Sequence, residues 1–193
     1  MSPFPVRLPN ALRHAALAVA LSSSLAPALH ASDTSPQRMQ SLKEIRENAV
    51  VIQKWETSCA AASLATVLTY GFQDPVSERY VAATMLEGTA PARVRARGGF
   101  SLLDMKRFVE ARGYNGDAYQ NLSFEELKLF QAPIVPIRVH GFNHYVVLNA
   151  VSEHDVLLAD PAFGNRRMSL QRFNSIWLNG LAFVVSNQQG SAL

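Results

Sequence analysis

The chain has 193 residues, of which 48% are hydrophobic and 17% are charged, and it contains one cysteine. This composition is typical of a globular protein with one ordinary domain and excludes an intrinsically disordered chain. A single cysteine excludes an internal disulfide framework. The sequence has no Cys/His cluster with zinc spacing and no glycine-rich phosphate loop, so we expect no metal and no cofactor.

Residues 1–31 have the layout of a secretory signal peptide. Arg7 and Arg13 form a basic start, and the apolar run AALAVALSSSLAPALHA follows. Cleavage is expected after Ala31 or, as the alternative, after Ala28. The run is too short and too rich in Ser and Pro for a stable membrane span. We therefore expect export to the periplasm, with membrane attachment only through an uncleaved signal.

The net charge of +3 includes the two arginines of this signal. Without them, 16 of the 18 basic residues remain against 15 acidic ones, a net charge of +1. This small excess gives no reason to expect nucleic acid as a partner.

The next stretch, as far as residue 132, is predicted to be mainly helical. Its predicted elements are a linker with a short helix (32–47), a short strand or extended segment (48–53), helices over 59–70, over 76–87 and from Ser101, a short strand, and a short capped helix. Thr57 and Ser58 are suitable N-cap residues for the helix that begins at Cys59, and Gly71 is a suitable stop. The basic stretch APARVRARGG is predicted to be a flexible loop.

From residue 133 the pattern changes to short β-branched runs separated by turn residues. The predicted strands are PIVPIRV, HYVVLNAV and DVLLAD, followed by a helix in SLQRFNSIWLNG and a last strand in LAFVVS. Helices followed by a meander of strands indicate the α+β class, with an antiparallel sheet packed on the helices. We expect one domain over residues 48–187 and a tail over 188–193.

Cys59 stands at the predicted start of a helix. The N–H groups and the positive dipole end at a helix start favour the thiolate, which is the nucleophilic form of cysteine. Free cysteine is also among the most buried residue types, so a structural role is the alternative. Position alone does not separate the two.

A cysteine nucleophile needs a base, usually histidine, that a third group orients. His144 lies on a predicted strand, which fixes a side chain better than the loops of His140 and His154 do. Asp160 ends the strand after the hairpin loop SEHD; a simple turn is the alternative interpretation. The hairpin would place Asp160 opposite Val147, three residues from His144, unless a bulge shifts the register.

Gln53 is the candidate for stabilising a reaction intermediate. Its side-chain N–H₂ could donate to the oxyanion of a tetrahedral intermediate, with the backbone N–H of Cys59 as a second donor. Such a donor typically contributes about 3 kcal/mol. A solvated polar residue at the end of a strand is the alternative.

Gln53, Cys59, His144 and Asp160, in this order, resemble the papain-like cysteine peptidases of family C39, which process double-glycine leaders and bacteriocins. The resemblance extends over residues 48–186 and includes GFNHYVVL, ADPAFGNRRMSL and RFNSIWLNGLAFVV. It implies a papain-like fold in which Cys59 is the nucleophile and His144 the general base and acid. It also implies that Asp160 orients His144 and that Gln53 is the oxyanion-hole donor.

Two departures from the family pattern are present. The family typically has Asp-Cys-Gly where this chain has Ser58-Cys59-Ala60, so a methyl group is expected where substrate backbone approaches. Well-known members are fused to a membrane ABC exporter, whereas this sequence has a predicted signal and no ATPase motif. It thereby resembles the free-standing, exported C39-like peptidases of the functional amyloid (Fap) system of pseudomonads.

We therefore expect an exported cysteine endopeptidase that cleaves a polypeptide, such as a secreted fibre subunit, a leader or a secretion-system component. A non-catalytic binding module of the same fold, which holds an export substrate or a channel partner, is the alternative. A papain-like acyltransferase or amidase would share the first steps, and the sequence does not separate it from a peptidase.

Overall fold

The computed structural model of the chain describes residues 39–188. The predicted signal peptide and the tail from residue 189 lie outside these residues. The helices are α1 (Leu42–Glu47), α2 (Cys59–Thr66), α3 (Glu78–Glu87), α4 (Pro91–Arg97), α5 (Leu102–Ala111), α6 (Phe124–Leu127) and α7 (Leu170–Ile176). The strands are β1 (Tyr114–Tyr119), β2 (Ile134–Val139), β3 (Phe142–Val151), β4 (Asp155–Asp160), β5 (Gly164–Ser169) and β6 (Ala182–Asn187).

Within residues 39–188, the six strands form one sheet in the order β1-β6-β2-β3-β4-β5. Every neighbouring pair is antiparallel. Most of the helices precede the strands along the chain and pack on the sheet. The α+β class predicted from the sequence is therefore confirmed.

Apolar side chains cover both faces of the sheet. On one face, Ile134 and Val147 belong to a core that they share with α2, α3 and α5. On the other face, Val135 and Val146 belong to a second core that includes Phe173 of α7. Every residue of α2 is buried, because its small alanine side chains allow neighbouring elements to approach closely. The sheet and α2 thus form a rigid support for the residues at the helix start.

The stretch predicted as a basic loop, APARVRARGG, is instead helical as α4. Pro91 is the first residue of this helix, where its missing N–H costs nothing. Gly98 follows the last helical residue with a φ of 76°, the left-handed conformation that ends helices. Pro91 and Gly98 thus provide the start and stop signals of a helix, although the stretch between them is basic.

Sequence reasoning missed one strand, and it left one segment open between a short strand and an extended stretch. Strand β5 was not predicted, because its sequence GNRRMS is polar and lies at the edge of the sheet. The NAVVIQ segment begins with a turn at residues 48–49 and belongs to no strand of the sheet. Its hydrogen bonds include those from Val51 N–H to Thr66 Oγ1 at 2.9 Å, from Gln53 N–H to the Pro161 carbonyl at 2.8 Å and from Asn165 Nδ2 to the Asn48 carbonyl at 2.5 Å. A π-helical turn, Val67–Gly71, prolongs α2 to the predicted stop at Gly71.

The hairpin of β3 and β4 contains a β-bulge that changes the expected register. The observed pairs are Val151–Val156, Ala150–Leu157, Leu148–Leu158 and Val147–Ala159. Asn149 is thus an extra residue, and Asp160 follows on level with Val146 rather than with Val147. Because side chains alternate between faces, this shift of one residue moves Asp160 to the face of the hairpin that carries His144.

Candidate active site

Cys59 is the first residue of α2 and is almost completely buried, with 3% of its surface exposed. The helix start places backbone N–H groups and the positive end of the helix dipole near its thiol. Ser63, one turn further along, donates its hydroxyl to the carbonyl of Tyr145 at 3.2 Å. This bond ties the first turns of α2 to β3, next to His144.

His144 lies on β3 between the start of α2 and the end of β4. Its Nε2 donates to Oδ1 of Asp160 at 2.7 Å, and its ring lies near enough to the Cys59 side chain for the two groups to interact. Because Nε2 faces Asp160, Nδ1 is the ring nitrogen that remains for Cys59. The structure thus places Cys59, His144 and Asp160 as a chain of neighbouring side chains, with His144 in the middle.

The carboxylate of Asp160 has no exposed surface. Its Oδ1 accepts the Ala162 backbone N–H at 2.9 Å in addition to the His144 bond. Its Oδ2 lies 2.7 Å from Nη2 of Arg166, an ion pair in which the two atoms are not aligned for a hydrogen bond. Sequence reasoning missed Arg166 because it lies on β5, a strand that was not predicted, so nothing indicated that its side chain faces Asp160.

These contacts shift the pKa values of both partners. Burial lowers the pKa of His144, but its hydrogen bond to Asp160, its interaction with Cys59 and the charges of these groups raise it to about 9. Burial raises the pKa of Asp160, but the bond to His144, the Ala162 N–H and the charge of Arg166 hold it below its ordinary value. An imidazolium beside a carboxylate is therefore favoured at neutral pH, and an imidazolium is what stabilises a cysteine thiolate.

Gln53 is fixed beside this chain of residues through its backbone bond to Pro161, the residue after Asp160. Its Nε2 donates one proton to the carbonyl of Trp55 at 3.0 Å. An amide nitrogen carries two protons, so the second remains for another acceptor. Its Oε1 is buried and has no hydrogen-bond partner among residues 39–188. The side chain is thus held in place with one N–H to offer.

Glu78, the first residue of α3, holds the loop between Gln53 and Cys59. Its carboxylate is buried, with 4% of the residue exposed. Its Oε1 accepts the backbone N–H of Lys54 at 2.9 Å and the hydroxyl of Ser58 at 2.5 Å. Ser58 does occupy the N-cap position, but its side chain does not cap α2 as predicted, because its hydroxyl is directed to Glu78. Sequence reasoning missed Glu78, which lies a whole helix away along the chain.

The expected obstruction by Ala60 is not present. Ala60 has no exposed surface, and its methyl group belongs to the core that α2 shares with α3 and α5. A side chain in that core does not meet a substrate that arrives from solvent. The departure from the family glycine therefore concerns packing and not access.

A mostly apolar cavity of about 310 Å³ opens beside the residues that precede Cys59. Its lining comes from the loop before α2 (Trp55, Thr57 and Ser58), from α3, from α4 and from Phe100, and it includes the cations Arg79 and Arg95. Such a cavity can receive an apolar side chain of a polypeptide beside the loop that leads to Cys59.

The other two histidines of the described chain lie in turns, as predicted. His140 is exposed between β2 and β3, and His154 is exposed between β3 and β4. Within residues 39–188, no group of three or more His, Cys, Asp or Glu side chains is arranged to hold a metal ion.

The sequence matches the model of the peptidase C39 family over residues 47–189. It is 40% identical over 167 residues to the probable functional amyloid protease FapD of Pseudomonas aeruginosa, covering 84% of this chain and 71% of the relative. It is 35% identical over 150 residues to FapD of Pseudomonas fluorescens, covering 77% of this chain and 65% of the relative. A more distant match is LagD of Lactococcus lactis, a lactococcin-G-processing and transport ATP-binding protein, with 26% identity over 140 residues and 18% of its length covered.

Two solved structures have similar folds. The peptidase domain of Streptococcus ComA, a bifunctional ABC transporter, has a TM-score of 0.61 and 24% identity, covering 72% of this chain and 98% of that domain. A double-glycine-motif protease from an AMS/PCAT transporter, solved in complex with the leader peptide, has a TM-score of 0.59 and 24% identity, covering 72% and 91% of the two chains. These similarities confirm the papain-like peptidase fold expected from the sequence.

Proposed function

Because the chain belongs to the peptidase C39 family, we propose that it is an exported cysteine endopeptidase with Cys59 as its nucleophile. The observation that carries this proposal is the position of His144, which is hydrogen-bonded to the buried Asp160 and also interacts with Cys59. A structural cysteine needs no such partner, whereas a nucleophile needs a base that a third group orients.

In the proposed acylation, the Cys59 thiolate attacks the carbonyl carbon of the scissile peptide bond. The oxyanion that forms accepts hydrogen bonds from the Cys59 backbone N–H and from the second Nε2 proton of Gln53; one such donor contributes about 3 kcal/mol. The His144 imidazolium then gives its proton to the leaving amine. The C–N bond breaks, and the acyl group remains on Cys59 as a thioester.

In the proposed deacylation, water attacks the thioester. His144, now neutral, accepts a proton from the water, and the hydroxyl joins the acyl carbon. The C–S bond breaks, a carboxylic acid leaves, and the thiolate–imidazolium pair forms again. Asp160 holds Nε2–H throughout, so that Nδ1 faces the sulfur and the attacking water in turn.

The substrate we propose is a secreted polypeptide that takes part in amyloid fibre biogenesis or secretion. The two Pseudomonas relatives are named as probable functional amyloid proteases, and one similar structure was solved with a leader peptide. The apolar cavity beside the loop that precedes Cys59 is consistent with a polypeptide ligand. The predicted signal peptide supports a periplasmic location. Within residues 39–188, no helix combines the length and the apolar character that a membrane span requires.

Mass spectrometry of the secreted proteins from cells that carry the wild type or Cys59→Ala tests the proposal. We expect a cleaved fibre subunit or leader with the wild type and only the uncleaved form with the variant. Identical products from both strains would show that Cys59 is not the nucleophile. A product joined to a new amine, in place of a free carboxyl group, would identify an acyltransferase.

Alkylation by iodoacetamide separates the peptidase from the binding-module alternative. Because Cys59 is the only cysteine, the rate reports on this residue alone. Rapid alkylation well below a pH of about 8.5, the ordinary thiol pKa, indicates a thiolate–imidazolium pair. A rate that follows an ordinary thiol titration would favour the binding module.

A further inference from the structure

Arg166 of β5 has no part in the proposed reaction, yet it contacts the group that orients the base. Its Nη2 lies 2.7 Å from Oδ2 of Asp160, and its guanidinium carbon lies 5.4 Å from the ring centre of Phe163. We propose that Arg166 is a positioning residue that fixes the Asp160 carboxylate and balances its charge, so that Oδ1 stays on His144. This inference rests on the proposed function of the Cys59–His144 pair.

The pairing of β4 with β5 explains how Arg166 reaches Asp160. Gly164 pairs with Asp160, and Arg166 pairs with Leu158. Arg166 therefore lies diagonally from Asp160 on the same face of the strand pair. Gly164 itself has a φ of 77°, and a Cβ at this position would meet the backbone carbonyl of Arg46, so glycine allows α1 to pack against this end of β5.

The burial of Asp160 gives the ion pair its importance. A carboxylate without exposed surface loses its hydration and is costly unless hydrogen bonds or an opposite charge replace the water. Oδ1 has two hydrogen bonds, from His144 and Ala162, whereas Oδ2 has none within residues 39–188 and meets only the guanidinium. Without Arg166, the carboxylate would be free to rotate away from His144 or to take up a proton.

The charged groups around this carboxylate come from four elements. His144 on β3 and Cys59 on α2 form one side, and Arg166 on β5 forms the other. Arg46 of α1 binds the carbonyl of Phe163 at 2.8 Å, one step further away. Arg166 is thus the cation in direct contact with Asp160 besides the imidazolium itself.

The adjacent Arg167 provides a matched control. It is the next residue of the same strand, but its side chain is 69% exposed and pairs with Asp155 at 3.4 Å. Arg167→Gln therefore removes the same charge and the same kind of side chain one residue away. Any effect of net charge or of β5 stability in general appears in both variants, whereas an effect on Asp160 appears only in Arg166→Gln.

The test compares full-length wild type, Arg166→Gln, Arg166→Lys and Arg167→Gln by the pH dependence of Cys59 alkylation with iodoacetamide. In Arg166→Gln we expect Asp160 to take up its proton at a higher pH. The acidic side of the curve of alkylation rate against pH, its acid limb, should therefore move up by about one pH unit, and the alkylation rate in that pH range should fall about tenfold. Arg167→Gln should match the wild type, and Arg166→Lys should recover part of the shift because it keeps the charge. In a peptidase assay, kcat should fall in Arg166→Gln with little change in KM.

An acid limb and a kcat in Arg166→Gln equal to those of Arg167→Gln would overturn the inference. If Arg166→Gln does not fold, the same substitution is made in Asp160→Asn, which lacks the buried negative charge. Recovery of folding in Asp160→Asn/Arg166→Gln supports the inference, and failure to fold in both backgrounds overturns it in favour of a structural role. If Cys59 of the wild type is alkylated like an ordinary thiol, the proposed function itself is overturned. If the wild type is alkylated rapidly at low pH and Arg166→Gln shows the same pH dependence, only this inference is overturned.

Discussion

Asp160 holds His144 by a hydrogen bond of 2.7 Å, and the carboxylate that accepts it is fully shielded from water. The bond fixes the proton on Nε2 and leaves Nδ1 to Cys59. In a water-excluded site the carboxylate also stabilises the imidazolium more strongly than it would on the surface. The relationship between these two residues therefore sets both the geometry and the protonation of the proposed base.

Asp160→Asn tests the charge of this carboxylate separately from its shape. The amide keeps an oxygen that can accept from Nε2 but removes the negative charge, so the pKa of His144 should fall from about 9 toward 6.5. We expect the alkaline limb of kcat/KM against pH to move to lower pH, because this limb reports loss of the imidazolium in the free enzyme.

Asp160→Ala serves as the more severe comparison. It removes the acceptor as well as the charge, so we expect a fall in kcat of about 10²- to 10⁴-fold. An alkaline limb that stays in place in Asp160→Asn would show that Asp160 does not determine the protonation of His144.

His144 should make the free energy of unfolding depend on pH above neutrality. Its pKa is raised from 6.5 to about 9 in the folded chain, so the folded state binds this proton more tightly. The contribution is complete below pH 6.5 and is lost as the pH rises through about 9; the full shift corresponds to the order of 3 kcal/mol. Urea unfolding at pH 6 and pH 9.5 should show this loss in the wild type.

His144→Gln is the control for that measurement. The variant lacks the titrating group, so its stability should change much less between the two pH values. Equal losses in both proteins would mean that other groups cause the pH dependence.

Glu78→Ala should weaken both stability and catalysis. It leaves the Lys54 N–H without its buried acceptor, whereas the Ser58 hydroxyl keeps the Trp55 carbonyl at 2.7 Å. The loss of a buried acceptor costs about 1–3 kcal/mol. Because Gln53 and Cys59 lie at the two ends of the loop that Glu78 holds, kcat should also fall. Thermal unfolding and kcat measured on the same samples check both effects.

Glu87→Ala is the matched control for Glu78, since Glu87 ends the same helix and is exposed. We expect it to change stability by less than about 0.5 kcal/mol and to leave kcat unaltered. If Glu78→Ala behaves like Glu87→Ala, the loop does not depend on the buried carboxylate.

Ala60→Gly restores the residue that the family typically carries. Because Ala60 lies in the core with no exposed surface, the change should leave kcat/KM nearly the same. It should lower the free energy of unfolding by about 1 kcal/mol, through lost helix propensity and a lost buried methyl group. A large gain in kcat/KM would show that the methyl group does obstruct the substrate.

Much of the local structure could be predicted from the sequence. The helix from Ser101 and the short capped helix are present as predicted, and each begins with a capping box whose residues are only three positions apart. The start of α2 at Cys59 and the hairpin of β3 and β4 were likewise visible in hydrophobic periodicity and turn residues. Strand β5 was missed because a polar edge strand lacks that periodicity.

The residue types of the candidate site and the elements that carry them follow from the sequence alone. A thiol at a helix start, a histidine on a strand and an aspartate before a proline are all local patterns. How these residues meet depends on the tertiary fold. The bulge at Asn149 puts Asp160 on the face of His144, while Glu78 and Arg166 contact the site from elements distant along the chain. Register and long-range contacts arise from the packing of separate segments, and the residues of one segment do not encode them.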